Sequence, residues 1–374
     1  LFIQAQDVAI GGWKDYLSYN SASYIAEAEN KIYCVTSGGL FYVDKIDNTI
    51  NRMSKVTGLS DIDVKQIAYS KELKTTIITY ENCNIDLLKN NEIINLSDIK
   101  RKEIAGKQIN NITLQEGIAY LSCAFGLVLV DLEKEEIKDT YYVGDEESMY
   151  KITGCAFLGD SIITATSEGL FYANANSQAL SDHNNWSPLT SHTNEETYDN
   201  VIFGNNNIIG DYSYELISIN YNNNTLISAK TDKIEINKDD GTYIELTHSK
   251  FKNILYALND DDDIIWVADT ANGLLKFINY EYQERFIPEG PKRNDLYSLE
   301  FLEGALYHCH GGRNENNFSS ALINDGVSIK NKYDDWENYD RDQLGNARDI
   351  LGVAVSNGTE YYASWLDGIP EMKE

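Results

Sequence analysis

Residues 32–44, IYCVTSGGLFYVD, read as an apolar strand, a tight turn at Gly38 and Gly39, and a second apolar strand returning beside the first. The phrase recurs as AYLSCAFGLVLVD at 119–131, IITATSEGLFYA at 162–173 and IIWVADTANGLLKFI at 264–278. The leucine after the turn falls at Leu40, Leu127, Leu170 and Leu274, so the second and third copies lie one period of about 43 residues apart and the first two about two periods apart. One such hairpin cannot bury its apolar face alone, and stacking copies can. Four-strand units of about 40–45 residues are the signature of a β-propeller.

The remaining sequence fits the same grammar. Unit one runs through SYIAEAE, KIYCVTSG, GLFYVDKI and NTINRMSK, and TGLSD at 57–61 leads to VKQIAYS, the innermost strand of unit two. Unit two turns at 82–84, where asparagine stands in for glycine because it tolerates positive φ. Units three and four follow through INNITLQE and YKITGCAFL. Residues 198–247 hold either one irregular unit or two, and a clear unit follows through IIWVADT. The segment WKDYLSY at 13–19 reads as a strand that completes the last blade and removes its open edge.

These readings predict an all-β fold: a seven-bladed propeller of four-stranded antiparallel blades over residues 1–348. Residues 349–374 are then either a closing blade or the start of a second propeller. PEGP at 288–291 marks a rigid connection, with two of the chain's 4 prolines in four residues. The 26 tyrosines, with many Ile, Val and Thr, suit a pleated surface, and no sustained helical period appears.

Charge narrows the partners. With 59 acidic against 31 basic residues the net charge is −28, which repels phosphate backbones and anionic membranes and argues against nucleic acid. Such a surface keeps a large β-protein soluble, and it attracts basic partners, or anionic ones through divalent cations. No run of eighteen apolar residues is present to span a membrane. Residues 1–6, LFIQAQ, resemble the tail of a signal peptide with Ala5 before a cleavage point at Gln6, which places the protein outside the cytoplasm. The cysteines, Cys34, Cys83, Cys123, Cys155 and Cys309, are odd in number and read as buried apolar thiols rather than a disulfide framework.

Candidate chemistry is sparse. His308, Cys309 and His310 place two imidazoles on one strand face, yet two ligands fall short of a zinc set without a distant third, so they read as polar residues facing outward or toward a channel. Asp260, Asp261, Asp262 and Asp263 form a hairpin turn rich in hard oxygen, but without the spacing of a calcium loop they read as a solvated turn. His183, His192 and His248 lie in polar loops or at a strand end with no evident partner. No GxSxG, HExxH or GxxxxGK[ST] occurs. The expected catalytic, cofactor and metal residues are therefore none, and the protein is expected not to be an enzyme.

TGLSDIDVKQI at 57–67 and IWVADTANGL at 265–274 resemble two-component regulator propeller repeats. GGWKDYLSYNSASYIAEAENKIYCVTSGGLFYVD at 11–44, GPKRNDLYSLEF at 290–301, and DILGVAV with YYASWLDGIPEM near the end are similar to the PorZ family of the Por (type IX) secretion system of Bacteroidetes. That resemblance implies two propellers before a small β-sandwich, of which this chain covers the first and the start of the second. It implies a place on the outer face of the outer membrane, with a sortase-type partner and a part in attaching cargo to anionic lipopolysaccharide. The other reading, from the repeats, is a periplasmic sensor domain of a hybrid two-component system that detects oligosaccharides.

Overall fold

The computed structural model describes residues 12–373 except 105, 145–148, 190–199, 205–206, 212–215 and 315. The signal-peptide reading of residues 1–6 and His192 lie outside the described residues. Two compact units divide the chain: residues 21–287, and residues 288–374 together with 1–20. The boundary coincides with the rigid PEGP segment, some sixty residues before the end of the single propeller expected over 1–348.

The described residues of 21–287 form seven antiparallel sheets, six of them four-stranded and built from four consecutive strands. Residues 198–247, left open by the sequence, hold two of these sheets: a two-stranded one over Asn200–Gly204 and Asn207–Asp211, and a complete one from Ser218–Asn222 to Tyr243–Thr247. The innermost strands are Ala22–Ala28, Val64–Ser70, Ile109–Gln115, Ile152–Leu158, Asn200–Gly204, Ser218–Asn222 and Ile254–Asn259, each packed on the next, and the seventh on the first. That circular order is a closed seven-bladed propeller.

The core lies between blades rather than at one centre. Ile77 and Leu87 of the second blade pack with Leu121 and Val130 of the third, and Leu129 of the third with Cys155 and Ile162 of the fourth. Thr75–Tyr80 is buried at every position because a blade covers each of its faces, whereas the outermost strand Ile50–Met53 has one wet face. In the turn at 82–84 the positive φ of +63° belongs to Cys83, not to asparagine, while the Asn82 side chain accepts from the Asn84 N–H and fixes the turn.

The closing-strand reading of WKDYLSY is corrected. Residues 12–20 form no strand, because side chains rather than a ladder take their hydrogen bonds. The Ser18 N–H donates to Asn294 Oδ1 (2.7 Å) and its hydroxyl to the Lys292 carbonyl (2.7 Å), while Tyr19 is buried. This segment packs within the second compact unit, which carries a four-stranded sheet from Ser298–Leu302 to Trp336–Tyr339 and a three-stranded one over Ile350–Ser356, Thr359–Ser364 and Glu371–Lys373. The Leu17 carbonyl lies so close to Gly290 that a Cβ there would be 2.3 Å from it. Gly290→Ala is therefore expected to cost about 1–3 kcal/mol and to expose residues 13–20 to proteolysis. A variant as protease-resistant as the parent would show that the contact does not hold the segment.

Candidate functional site

At the centre of the seven-bladed ring lies a channel seen as two adjoining cavities of about 350 and 220 Å³ that share Tyr24, Asn111, Ile219 and Tyr256. Its lining comes from the innermost strands. Neutral amides and hydroxyls dominate it (Gln66, Asn110, Thr113, Thr153, Ser218 and Asn220), with Tyr24, Tyr221, Tyr256 and Phe157 as the aromatic surfaces. No Asp, Glu, Lys or Arg is among the described residues that line it, although 24% of the chain is charged.

Part of this polarity is structural. Gln66 Nε2 donates to the Asn110 carbonyl of the next blade (2.8 Å), and Asn110 Nδ2 donates to the Ile152 carbonyl of the blade after (2.6 Å). The Thr113 hydroxyl donates to the Cys155 carbonyl (2.8 Å), and Asn220 Nδ2 to the Tyr256 hydroxyl (3.4 Å). Each amide thus spends donors on its neighbour. Gln66 Oε1, Asn220 Oδ1 and Ser218 Oγ, all shielded from solvent, have no hydrogen-bond partner among the described residues. The rings of Tyr24 and Tyr256 lie 4.2 Å apart, and burial, then the proximity of Tyr256, pushes the Tyr24 phenol well above its ordinary pKa. Burial likewise raises Tyr256, so both hydroxyls stay protonated.

The sequence reading passed over these residues. Its available signal was two asparagines inside INNITLQ and two inside SINYN, because Asn is depleted in strands and a paired appearance asks for a bonding reason.

The four-aspartate turn has two characters. Asp261, Asp262 and Asp263 are exposed, but Asp260 is fully buried, which corrects the solvated-turn reading. Asp260 Oδ1 accepts from the N–H groups of Asp262 and Ile264 (both 2.9 Å), and Oδ2 from Trp266 Nε1 (2.9 Å). Lys45 of the first blade lies 3.1 Å from Asp260 of the seventh and 2.7 Å from Glu27 of the first, and the Asp261 N–H donates to Glu27 Oε2 (3.0 Å). Glu27, Asp260 and Asp262 lie close enough together to hold a cation. The Lys45 ammonium already supplies that charge. Burial alone would lower the Lys45 pKa, but hydrogen bonds to Asp262, Glu27 and Asp260 hold it above the ordinary lysine value. Burial raises Glu27 against the pull of Lys45.

The histidine pair is also corrected. His308 and His310 face neither solvent nor a channel: both are buried, with ring centroids 4.4 Å apart. His310 Nε2 lies 2.6 Å from Ser328 Oγ, and His308 Nε2 has no hydrogen-bond partner among the described residues. No other metal-ligating side chain among the described residues completes a set with them. Burial, then the neighbouring His308, pushes His310 down to about 4, and burial lowers His308 as well. His248 has a partner that the sequence did not disclose, stacking on Tyr282 at 5.2 Å. His183 lies in a short 3₁₀ turn, 3.8 Å from Asp182. The five cysteines are free and buried, and burial pushes the Cys155 thiol up to about 12.

No helix among the described residues is long and apolar enough to cross a membrane. Residues 32–187 match the family model of the N-terminal β-propeller domain of the type IX secretion protein PorZ. The solved structure of PorZ from Porphyromonas gingivalis, described as an essential bacterial surface component of the type IX secretion system, is 22% identical with a TM-score of 0.83, covering 97% of this chain and 52% of that one. The chain therefore spans about half the length of that protein. The extracellular domain of a putative hybrid two-component system, BT4673 from B. thetaiotaomicron, is 12% identical at a TM-score of 0.40, covering 94% of this chain and 60% of that one. Raptor from Chaetomium thermophilum is 9% identical at 0.51, covering 74% of this chain and 29% of that one. None of the curated proteins matches the sequence. Residues 32–187 are thus similar to the N-terminal propeller domain of PorZ, and the chain shares the β-propeller fold of that protein.

Proposed function

We propose that this chain is a non-enzymatic, extracytoplasmic propeller scaffold. It acts as a PorZ-like accessory component of type IX secretion that assists a surface sortase in attaching cargo to anionic lipopolysaccharide. The observation that carries the reading is the likeness to PorZ over 97% of the chain, together with the family match at residues 32–187. Fold similarity transfers architecture more safely than role, so the role has to be tested directly.

A propeller whose blades are locked by inter-blade cores is a rigid platform, and its work in this reading is presentation. No bond is made or broken by its own side chains. The charge of −28 constrains how it meets an anionic glycolipid, because contact then runs through a basic face of the sortase or through divalent cations. The test is deletion of the gene with affinity recovery of the tagged native protein from outer-membrane fractions. The sortase should co-purify, and cargo should appear unattached in the medium. Intact cargo attachment, with lost induction of polysaccharide-use genes, would instead identify an oligosaccharide sensor and end the secretion reading.

A further inference from the structure

We propose that His310 and Ser328 form a proton-sensitive latch, which holds residues 17–20 and 290–295 in place while His310 is neutral and releases them when it is protonated. The latch lies wholly within the unit containing residues 288–374, and it does not depend on the scaffold role. The chain crosses between the two compact units at 20–21 and at 287–288, so the latched segments adjoin both crossings.

The hydrogen bonds fix where the protons sit. Asn338 Nδ2 donates to the Gly290 carbonyl (3.2 Å), which leaves Asn338 Oδ1 to accept the Ser328 hydroxyl proton. The Ser328 oxygen also accepts the Lys292 N–H (2.8 Å), so its 2.6 Å contact with His310 Nε2 is donated by the imidazole. Neutral His310 therefore carries its proton on Nε2, and its bare Nδ1 faces the Asp295 carbonyl at 3.4 Å. The Lys292 carbonyl in turn accepts from the Ser18 hydroxyl (2.7 Å) and from Asn20 Nδ2 (3.1 Å). One fully buried serine thus gathers residues 290–292, and these gather residues 18–20.

A second proton enters only at Nδ1, and there it makes a cation in a closed site. His310 is 1% exposed, and the His308 ring lies 4.4 Å away with its Nε2 unpartnered among the described residues. The Asp295 carbonyl and the Asp325 carboxylate favour the cation, while His308 and Arg293 oppose it. Both carboxylates, Asp295 and Asp325, are already paired with Arg293 (2.6 and 3.0 Å). Burial, then His308, prevails and holds folded His310 down to about 4. Because Nδ1 faces Asp295 and the Ser328 oxygen carries Lys292, lifting residues 290–295 is the movement that brings water to the ring. Proton uptake is therefore coupled to opening: the latch is fully held above about pH 6.5 and is progressively released toward pH 4.

The experiment is hydrogen exchange by mass spectrometry on the chain at pH 7.5 and pH 5.0, corrected for the intrinsic exchange rate. Peptides carrying the Ser18 and Lys292 amides should lose protection by about 30-fold at the lower pH, the factor set by a pKa near 4 when latched and an ordinary 6.5 when open. At pH 5.0 they should exchange at least about ten-fold faster than the strand Ala305–Cys309 of the same unit. His310→Gln, whose amide N–H can donate to Ser328 in place of Nε2, should keep the protection seen at pH 7.5 and lose most of its pH dependence. Where that variant does not fold, Ser328→Ala should lower the protection of both segments at pH 7.5 by about five-fold or more. Exchange of segments and strand together would show that the unit opens only as a whole. Protection unchanged or increased at pH 5.0 would show the proton held against the Asp295 carbonyl, and a parental pH dependence in His310→Gln would place the titration elsewhere. Any of these results, or parental protection in Ser328→Ala, would overturn the latch.

Discussion

Asp260→Ala is expected to lower the unfolding free energy of the propeller by about 3–5 kcal/mol, the range for breaking a buried, hydrogen-bonded charge cluster from one side. The carboxylate is fully buried, and it anchors the Asp262 and Ile264 N–H groups, the indole of Trp266 and Lys45. Its loss strands the indole donor inside the seventh blade. It also removes the link from that blade to Lys45 and Glu27 of the first. The link matters because each of the six complete blades uses four consecutive strands, so among the described residues no strand is exchanged where the ring closes. The seam between blades seven and one rests on side chains: this cluster, the Tyr24–Tyr256 contact, and Lys276 donating to Asn48 Oδ1 at 3.1 Å. Urea denaturation followed by tryptophan fluorescence measures the loss. A shift below about 1 kcal/mol would mean that the seam is held by apolar contacts alone. Lys45→Met should cost a similar amount, and the double variant less than the two losses added together, because both changes break one network.

Acidification is expected to destabilise the unit containing residues 288–374 through His310. The sign follows from proton counting. The folded pKa lies near 4 against an ordinary 6.5, so as pH falls below 6.5 the unfolded chain takes up a proton that the folded chain refuses. The stabilising contribution is therefore complete above about pH 6.5 and is lost as pH falls toward 4, by about 3 kcal/mol. Burial is the main cause and the His308 ring adds to it, while the Asp295 carbonyl and the Asp325 carboxylate oppose it and Arg293 reinforces it. His310→Gln removes the titration. The stability difference between parent and variant should then change between pH 7 and pH 4.5, with the parent losing more. Parallel pH profiles would show that the pair titrates freely and is not sealed.

Much of the fold was legible because the physics of a propeller is repetitive. The four phrases with Leu40, Leu127, Leu170 and Leu274 after their turns do map to blade interiors, and all four leucines are buried. The exceptions came where a local pattern was read without its surroundings. WKDYLSY has the composition of a strand, but its bonds go to Asn294 and the Lys292 carbonyl. DDDD at 260–263 looks solvated because the sequence cannot show that Lys45, over two hundred positions earlier, returns beside it. The His308–His310 alternation was read correctly as one face, but which face is buried depends on the loop through Asp295 and on Ser328.

By itself, the sequence determined the repeating unit, its four-strand grammar and the acidity of the surface, because strand alternation, turn residues and net charge are local or additive properties. The tertiary structure decided where the ring closes, what joins its ends, and the neutral character of the channel. Those depend on which side chains meet across blades, and closure brings together residues of the first and seventh blades that no local pattern connects.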